Sequence, residues 1–552
     1  MKQILYLLLG CLIPFQFLTA KMYSSPERTP VDYVNPYIGN ISHLLVPTYP
    51  TVHLPNSMLR VYPERENFTG NTINGLPLIV TSHRGSSAFN LSPYQGELQK
   101  AGSIIQYGYD NEVIKPYYYS VDLDDDGMYV QYAPSHQSGI YQIDFSQTDK
   151  PAYLIFNTRN GELKTDGKSI SGYQKLGNHT QVYIYLETDQ QPLKIGTHQG
   201  AVIRTTDKST QGHNAYYILE YPKGTASVLL RYGVSFISSE QAKQNLRREI
   251  KNYNLQAVAD KGRSVWNETL GKIFVKGGTE NEKTVFYTSL YRTYERMICI
   301  SEDGRYFSAY DGQVHDDEGI PFYVDDWIWD TYRATHPLRL IIETEMESNM
   351  VNSLIRMAYQ MQPNWMPTFP EINGDSRRMN CNHGVATVLD AYNKGMRSFD
   401  LAKAYQVCKA AITEKTLAPW SSKPAGVLDQ FYKDHGYFPA LAVGEQETVP
   451  EVHSWERRQP AAVTLGTVYD EWCLGNIAQA LGDKKEADYF LKRSLNYHKI
   501  FNKETCFFHP KDSFGNFIQP FDYRYSSGVG GRDAYDENNG WVYRWDLPHN
   551  VA

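Results

Sequence analysis

Two acidic residues stand out for what surrounds them. Glu537 follows Tyr535 and Asp536 and precedes Trp541, Tyr543 and Trp545. Aromatic rings around a carboxyl strip away its water, and a neighbouring carboxylate opposes its ionisation. Such a group keeps its proton near neutral pH and can deliver it to a substrate oxygen. A plainer reading also fits, because Asp536-Glu537 suits the exposed first turn of a helix, where negative charge meets the dipole. Asp330 lies between Trp329 and Thr331, three residues before Arg333. Its carboxylate can accept hydrogen bonds from ligand hydroxyls beside the Trp329 ring, or be engaged by Arg333 as an i, i+3 pair. Asp122 to Gly127 has the acidic look of a calcium loop, but no bidentate glutamate closes it. DDDG between strands is ordinary turn chemistry, and a hairpin is expected there.

These residues need a scaffold, and the chain changes character along its length. All nine Trp lie at or after Trp266. Before that point, segments such as YYYSVDL, GMYVQYA, AYLIFNT, QVYIYLET and SVLLRYGVSFI alternate apolar and polar residues between turn signals. That pattern predicts an antiparallel β-sandwich over residues 21–238. Residues 239–275 read as a helical linker, with Ser and Gln/Glu capping signals. From residue 276 to 552 helical periodicity dominates. The segments include NEKTVFYTSLYRTYERMI, WIWDTYRATHPLRLIIETEMESNMVNSLIRMAYQM, GVATVLDAYNKGM and AAVTLGTVYDEWCLGNIAQALGD. Helix pairs joined by Gly or Asp turns, without one repeat length, favour a closed (α/α) barrel over a regular solenoid.

Bulk properties narrow the class. The net charge of −7 is not gathered into a basic stripe, so nucleic acid is a poor partner. The 43 tyrosines offer apolar rings with polar tips, which suit sugars but also suit strands. Met1–Ala20 reads as a signal peptide, which implies export to the periplasm, the cell surface or the medium. Leu8-Leu9-Gly10-Cys11 also resembles a lipoprotein box, so lipidation at Cys11 is an alternative. No second apolar run approaches membrane length. Cys299, Cys381, Cys408, Cys473 and Cys506 are irregularly spaced and read as free thiols.

Several motifs together carry a family resemblance. Trp329-Asp330-Thr331-Tyr332-Arg333 with His336-Pro337-Leu338 resembles the WDT(F/Y)R…HPL signature of glycoside hydrolase family 92, the calcium-dependent exo-α-mannosidases. Thr464-Leu465…Tyr469-Asp470-Glu471-Trp472 is similar to the family's TLEYAYDDW helix, with Gly466 and Thr467 departing from it. Gly374-Asp375…Met379…Asn382-His383 resembles GxET…MxGNH, with Asp375 in place of Glu and Cys381 in place of Gly. Glu537…Trp541-Val542-Tyr543…Trp545…Pro548-His549 resembles EGNAWQYxWxVPHD, His509-Pro510-Lys511-Asp512 with Gly515 the RPRDxxGxF segment, and Val34-Asn35-Pro36-Tyr37-Ile38-Gly39 the VNPFIGT opening. The family's glycine-rich PFGMVQLSPD stretch is replaced by HLLVPTYPTVHLPNSMLRVYPER.

The resemblance implies an inverting glycoside hydrolase acting on terminal α-linked mannose of N-glycan or mannan-type substrates. Glu537 would be the general acid. Substrate contacts would come from Asp330, Trp329, Arg333, Asp375, His383 and Trp541. A lone His before a helix is more often a cap or a core residue, and the shorter Asp375 reaches less far than Glu. The resemblance implies a Ca2+ cofactor, most of whose ligands, like the catalytic base in a GNDDCGQ-like segment, are expected beyond Ala552. The domain is therefore read as an incomplete (α/α)6 barrel, and the chain as given is expected to be inactive. Two other readings remain: a non-catalytic glycan-binding remnant, and a glycoside phosphorylase of similar plan.

Overall fold

The computed structural model describes residues 28–41, 48–65, 69–81, 87–123, 127–147, 149–199, 202–526 and 532–550. The expected signal peptide, Cys11 and the tip of the Asp122–Gly127 turn lie outside them.

The alternating segments of the N-terminal half form a fourteen-stranded antiparallel sheet. Its longest pairing joins Ala152–Thr165 to Ser209–Tyr221, from Ala152 opposite Tyr221 to Lys164 opposite Ser209. On its other edge, the first half of Ala152–Thr165 pairs with Phe89–Tyr94 and the second half with Ser169–Gly177. The sheet therefore branches at this strand, over a core that includes Leu91, Phe156, Leu186, Tyr217 and Leu230. Tyr118–Leu123 runs antiparallel to Met128–Pro134 with Leu123 opposite Met128, the hairpin expected around DDDG.

Two helices follow. Helix α1 (Ser239–Glu249) starts where the Ser238 hydroxyl accepts from the Gln241 amide at 3.0 Å, and α2 (Leu255–Leu270) where Asn254 accepts from Ala257 at 3.0 Å. Such caps satisfy amides that the first turn leaves without partners. Helix α1 lies close on the strand Ser227–Ser235. A Cβ at Gly233 would stand 2.1 Å from the Ala242 carbonyl, so only glycine permits this approach. Helix α2 buries Trp266 completely, and the indole donates to the His53 carbonyl at 2.8 Å.

The helical half contains α3 (Glu280–Thr293), α4 (Ile328–Thr331), α5 (Thr335–Ile342), α6 (Thr344–Gln360), α7 (Gly384–Asn393), α8 (Leu401–Thr413), α9 (Val427–His435), α10 (Pro460–Ala480), α11 (Lys484–Arg493) and α12 (Gly540–Tyr543). Helix α10 is buried around most of its circumference and packs against α7, α8 and α11. It is the central helix of this half.

The helical segment from Trp327 to Met361 is divided in the structure into α4, α5 and α6. Pro337 cannot donate to the carbonyl four residues back, so a helix cannot run unbroken from α4 into α5. The second break falls at Glu343, which leaves helical geometry while its carboxylate receives Tyr294 at 2.9 Å and Lys272 at 2.5 Å.

Candidate active site

Helix α4 is only one turn long and needs outside support. Asp326 provides it, accepting from the Trp327 amide and the Thr331 hydroxyl, both at 2.9 Å. His336 lies behind Asp326, bonded to it at 2.8 Å and to Glu347 at 2.7 Å, all three fully buried. Burial alone would lower the imidazole, but the flanking carboxylates Glu347 and Asp326 prevail and push it up to about 10. A buried imidazolium clamped between two carboxylates thus fixes the turn that presents Trp329 and Asp330.

A cleft of about 770 Å3 opens above this turn. Trp329, Asp330, Arg333, His383, Glu537 and Trp541 all line it. Asp330 opens to the cleft within dense protein, and burial, then Glu537, then Asp326 push its carboxyl up to about 6. Arg333 does not pair with Asp330. Helix α4 ends at Thr331, and the guanidinium instead reaches Asp546 at 2.5 Å and the Tyr332 hydroxyl at 2.9 Å.

Glu537 is not in a first turn either. Helix α12 begins at Gly540, capped by Asn539, whose side chain accepts from the Trp541 amide at 3.1 Å. Glu537 lies three residues earlier, exposed to the cleft, in the left-handed region at φ 52°. Met379, Cys381 and Gln459 share that conformation at 66°, 66° and 47°. Each such non-glycine residue costs about 1–3 kcal/mol, and gathering them beside one cleft points to a functional site.

His383 is held by Asp470 of α10, Nδ1 to Oδ1 at 2.7 Å, and its ring centre lies 4.2 Å from that of Tyr332. Asp375 does not line the cleft. Its oxygens accept from the amides of Thr368 and Phe369 at 2.9 Å each and from Arg377, so it organises the loop below. Among the described residues, the lining is drawn wholly from the helical half; the segment replacing the glycine-rich stretch supplies none of it.

Several lining residues gave no sequence signal. Asn380 is buried and joins four segments: it accepts from Trp329 at 3.2 Å and Cys381 at 2.9 Å, and donates to Gln459 at 2.7 Å and Asp536 at 3.2 Å. Asp536 is itself buried, and Tyr543 donates to its carbonyl at 2.9 Å. The two departures Cys381 and Gly466 meet in the cleft wall. A Cβ at Gly466 would lie 2.0 Å from the Cys381 sulfur. A hollow of about 840 Å3 lies behind the same loop, walled by Asp533, Ala534 and Tyr535, but the candidate acid Glu537 and the candidate sugar ligand Asp330 face the smaller cleft. A calcium ion would require six to eight oxygens around one point. Among the described residues no three of His, Cys, Asp or Glu converge in that way.

Comparison with known proteins bears on the family and the fold. The sequence model described as the glycosyl hydrolase family 92 catalytic domain matches residues 241–552, and that of the family's N-terminal domain matches residues 33–235. A family GH92 inverting mannosidase of Bacteroides thetaiotaomicron superposes with a TM-score of 0.82 at 25% identity, covering 95% of this chain and 71% of that one. A family GH92 α-mannosidase of the same organism, solved with mannoimidazole, shares the fold at 0.82 and 22% identity, with the same coverage. An uncharacterized secreted glycosidase of Arthroderma benhamiae is 23% identical over 593 residues, covering 94% of this chain and 68% of its own.

Proposed function

The chain belongs to glycosyl hydrolase family 92, and we propose that it removes terminal α-linked mannose from N-glycan or mannan-type glycans with inversion at the anomeric carbon. The observation that carries this reading is the meeting of Asp330 and Glu537 in one cleft beside Trp329 and Trp541, each carboxyl close enough to matter to the other's surroundings.

In this reading Glu537 gives its proton to the glycosidic oxygen as the bond to the anomeric carbon breaks. Asp330, raised to about 6, accepts from ring hydroxyls. The exposed faces of Trp541 and Trp545 meet the apolar C–H faces of the glycan. His383, oriented by Asp470, supplies a further polar contact at the floor. An inverting reaction also requires a base that activates water on the opposite face of the sugar. The resemblance puts that base in a later segment, and no residue of the described cleft is assigned to it. The same holds for the calcium ion: the described carboxylates do not form its donor set. Export is supported by the secreted relative, and among the described residues no helix is long and apolar enough to cross a membrane.

The test is calorimetry of α-1,2-mannobiose against the matching glucobiose, with NMR of the sugar released by a form of the enzyme that carries its catalytic base. The reading expects selective binding of the mannoside and β-mannose as the first product. Equal binding of both disaccharides, or release of α-mannose first, would overturn it.

A further inference from the structure

Asp536 has a setting unlike that of any other carboxyl in the cleft wall. It is 1% exposed, one residue before Glu537, and lines the same cleft. Its Oδ2 receives a single amide donor, Asn380 at 3.2 Å, and its Oδ1 is buried with no hydrogen-bond partner among the described residues. No cation forms an ion pair with it among those residues. Arg532, the basic group that acts on it, is held by Glu456 at 2.8 Å. The other groups that face it are acidic or neutral: Glu537 on its own loop, Asp330 from α4, Glu456 from the segment before α10, the Cys381 thiol, and the Tyr543 hydroxyl, which bonds to its main chain. An ionised carboxylate buried with one neutral donor loses far more hydration than that donor returns.

We propose that Asp536 is a positioning residue that works as a neutral carboxylic acid: through Asn380 it ties the loop carrying Glu537 to the turn carrying Asp330, and its proton spares this wall a buried charge facing Asp330 and Glu456. This rests on the proposed sugar site for its consequence, but not for its protonation. Burial and the neighbouring carboxylates, which push this group up to about 8, agree with the geometry. Ionisation would set an uncompensated buried charge against Asp330 and Glu456, and their repulsion would push the loop away from the α4 turn, so ligand binding should fall as pH rises through that value.

Two measurements separate this idea from the reading beneath it. The first is infrared difference spectroscopy of the ligand-free full chain, wild type against Asp536→Asn. The expected result is a protonated-carboxyl C=O band near neutral pH that titrates at about pH 8 and is missing in the variant. Absence of that band overturns the proposal, whatever the protein binds. The second is calorimetric binding of D-mannose, which has no titrating group in this range. Affinity in the wild type should fall about tenfold from about pH 7 to about pH 9, as expected for one group that must stay protonated. Asp536→Asn, with the shape and neutrality of the protonated acid, should hold affinity level over that range, while Asp536→Ala should lower it at every pH. Wild-type and Asp536→Asn profiles of the same slope would overturn the proposal while leaving the sugar site intact. If mannose fails to bind any variant while the band titrates as expected, the sugar reading fails and the neutral acid stands.

Discussion

Gly466→Ala probes the cleft wall without touching either acid. Helix α10 would gain about 1 kcal/mol from the replacement on propensity alone, because alanine loses less backbone entropy than glycine. The new methyl, however, would start 2.0 Å from the Cys381 sulfur and 3.0 Å from its Cβ, against an ordinary contact of about 3.5–4.0 Å. The sulfur must therefore recede by about 1.5 Å. It is poorly placed to do so, since Cys381 is held at φ 66° and its thiol donates to Asn380 at 2.9 Å. Overpacking of this kind costs about 1–3 kcal/mol, and loss of the thiol bond adds about 1 kcal/mol, so the variant should be destabilised on balance by about 1–3 kcal/mol. Cys381→Gly removes the obstacle and suits the left-handed backbone. Gly466→Ala combined with Cys381→Gly should then recover most of the loss. The assay is urea unfolding of the four proteins of the cycle, with an expected coupling of about 1–3 kcal/mol. Effects that add within about 0.5 kcal/mol would refute the claim that these two positions fill one another's space.

Other consequences concern charge and surface. His336→Gln leaves Asp326 and Glu347 buried without their cation and should cost about 3–5 kcal/mol. Because the folded imidazole is raised to about 10, its contribution is full below about pH 6.5 and is lost as pH rises toward 10, so wild type and variant should converge in alkaline urea titrations. Glu302 is buried at the junction of sheet, α1 and helical half, where it accepts from Phe236 at 2.9 Å and Asn245 at 2.7 Å, and burial raises it from 4.5 to about 7. Its stabilisation is present below about pH 4.5 and fades as pH rises through 7, so Glu302→Gln should flatten a decline of about 3 kcal/mol across that window. Trp545 is 78% exposed. Its replacement by Ala should move stability by less than about 0.5 kcal/mol, and a mannoside titration should show weaker binding.

What could be read from the sequence follows from the range of the interactions involved. Strand alternation and helix caps are local, so the sheet and helices α1 and α2 were visible in the residues themselves. The division of Trp327–Met361 could not be read from periodicity, because apolar periodicity outlasts a helix that Pro337 and the tertiary partners of Glu343 interrupt. Helix α9 passed unread, being only nine residues long between Gly426 and Gly436. Asp330 and Glu537 could be singled out because their aromatic neighbours are adjacent in sequence. Asn380 could not, since each of its partners Trp329, Gln459 and Asp536 lies far along the chain and no local pattern marks a residue that joins them. Asp375 looked like a ligand contact by motif, whereas its oxygens are engaged by the amides of its own loop. The Cys381 and Gly466 departures looked unrelated until the fold set them in contact.

The most direct test of the account is mannose release from α-1,2-mannobiose by a form of the enzyme that carries its catalytic base, with and without Glu537→Gln under identical conditions, and with disaccharide binding measured alongside. The account predicts a rate about 100- to 10,000-fold lower in the variant, with binding preserved, as expected when a proton donor is removed from a site that still holds its substrate. Equal rates for the two proteins would contradict it.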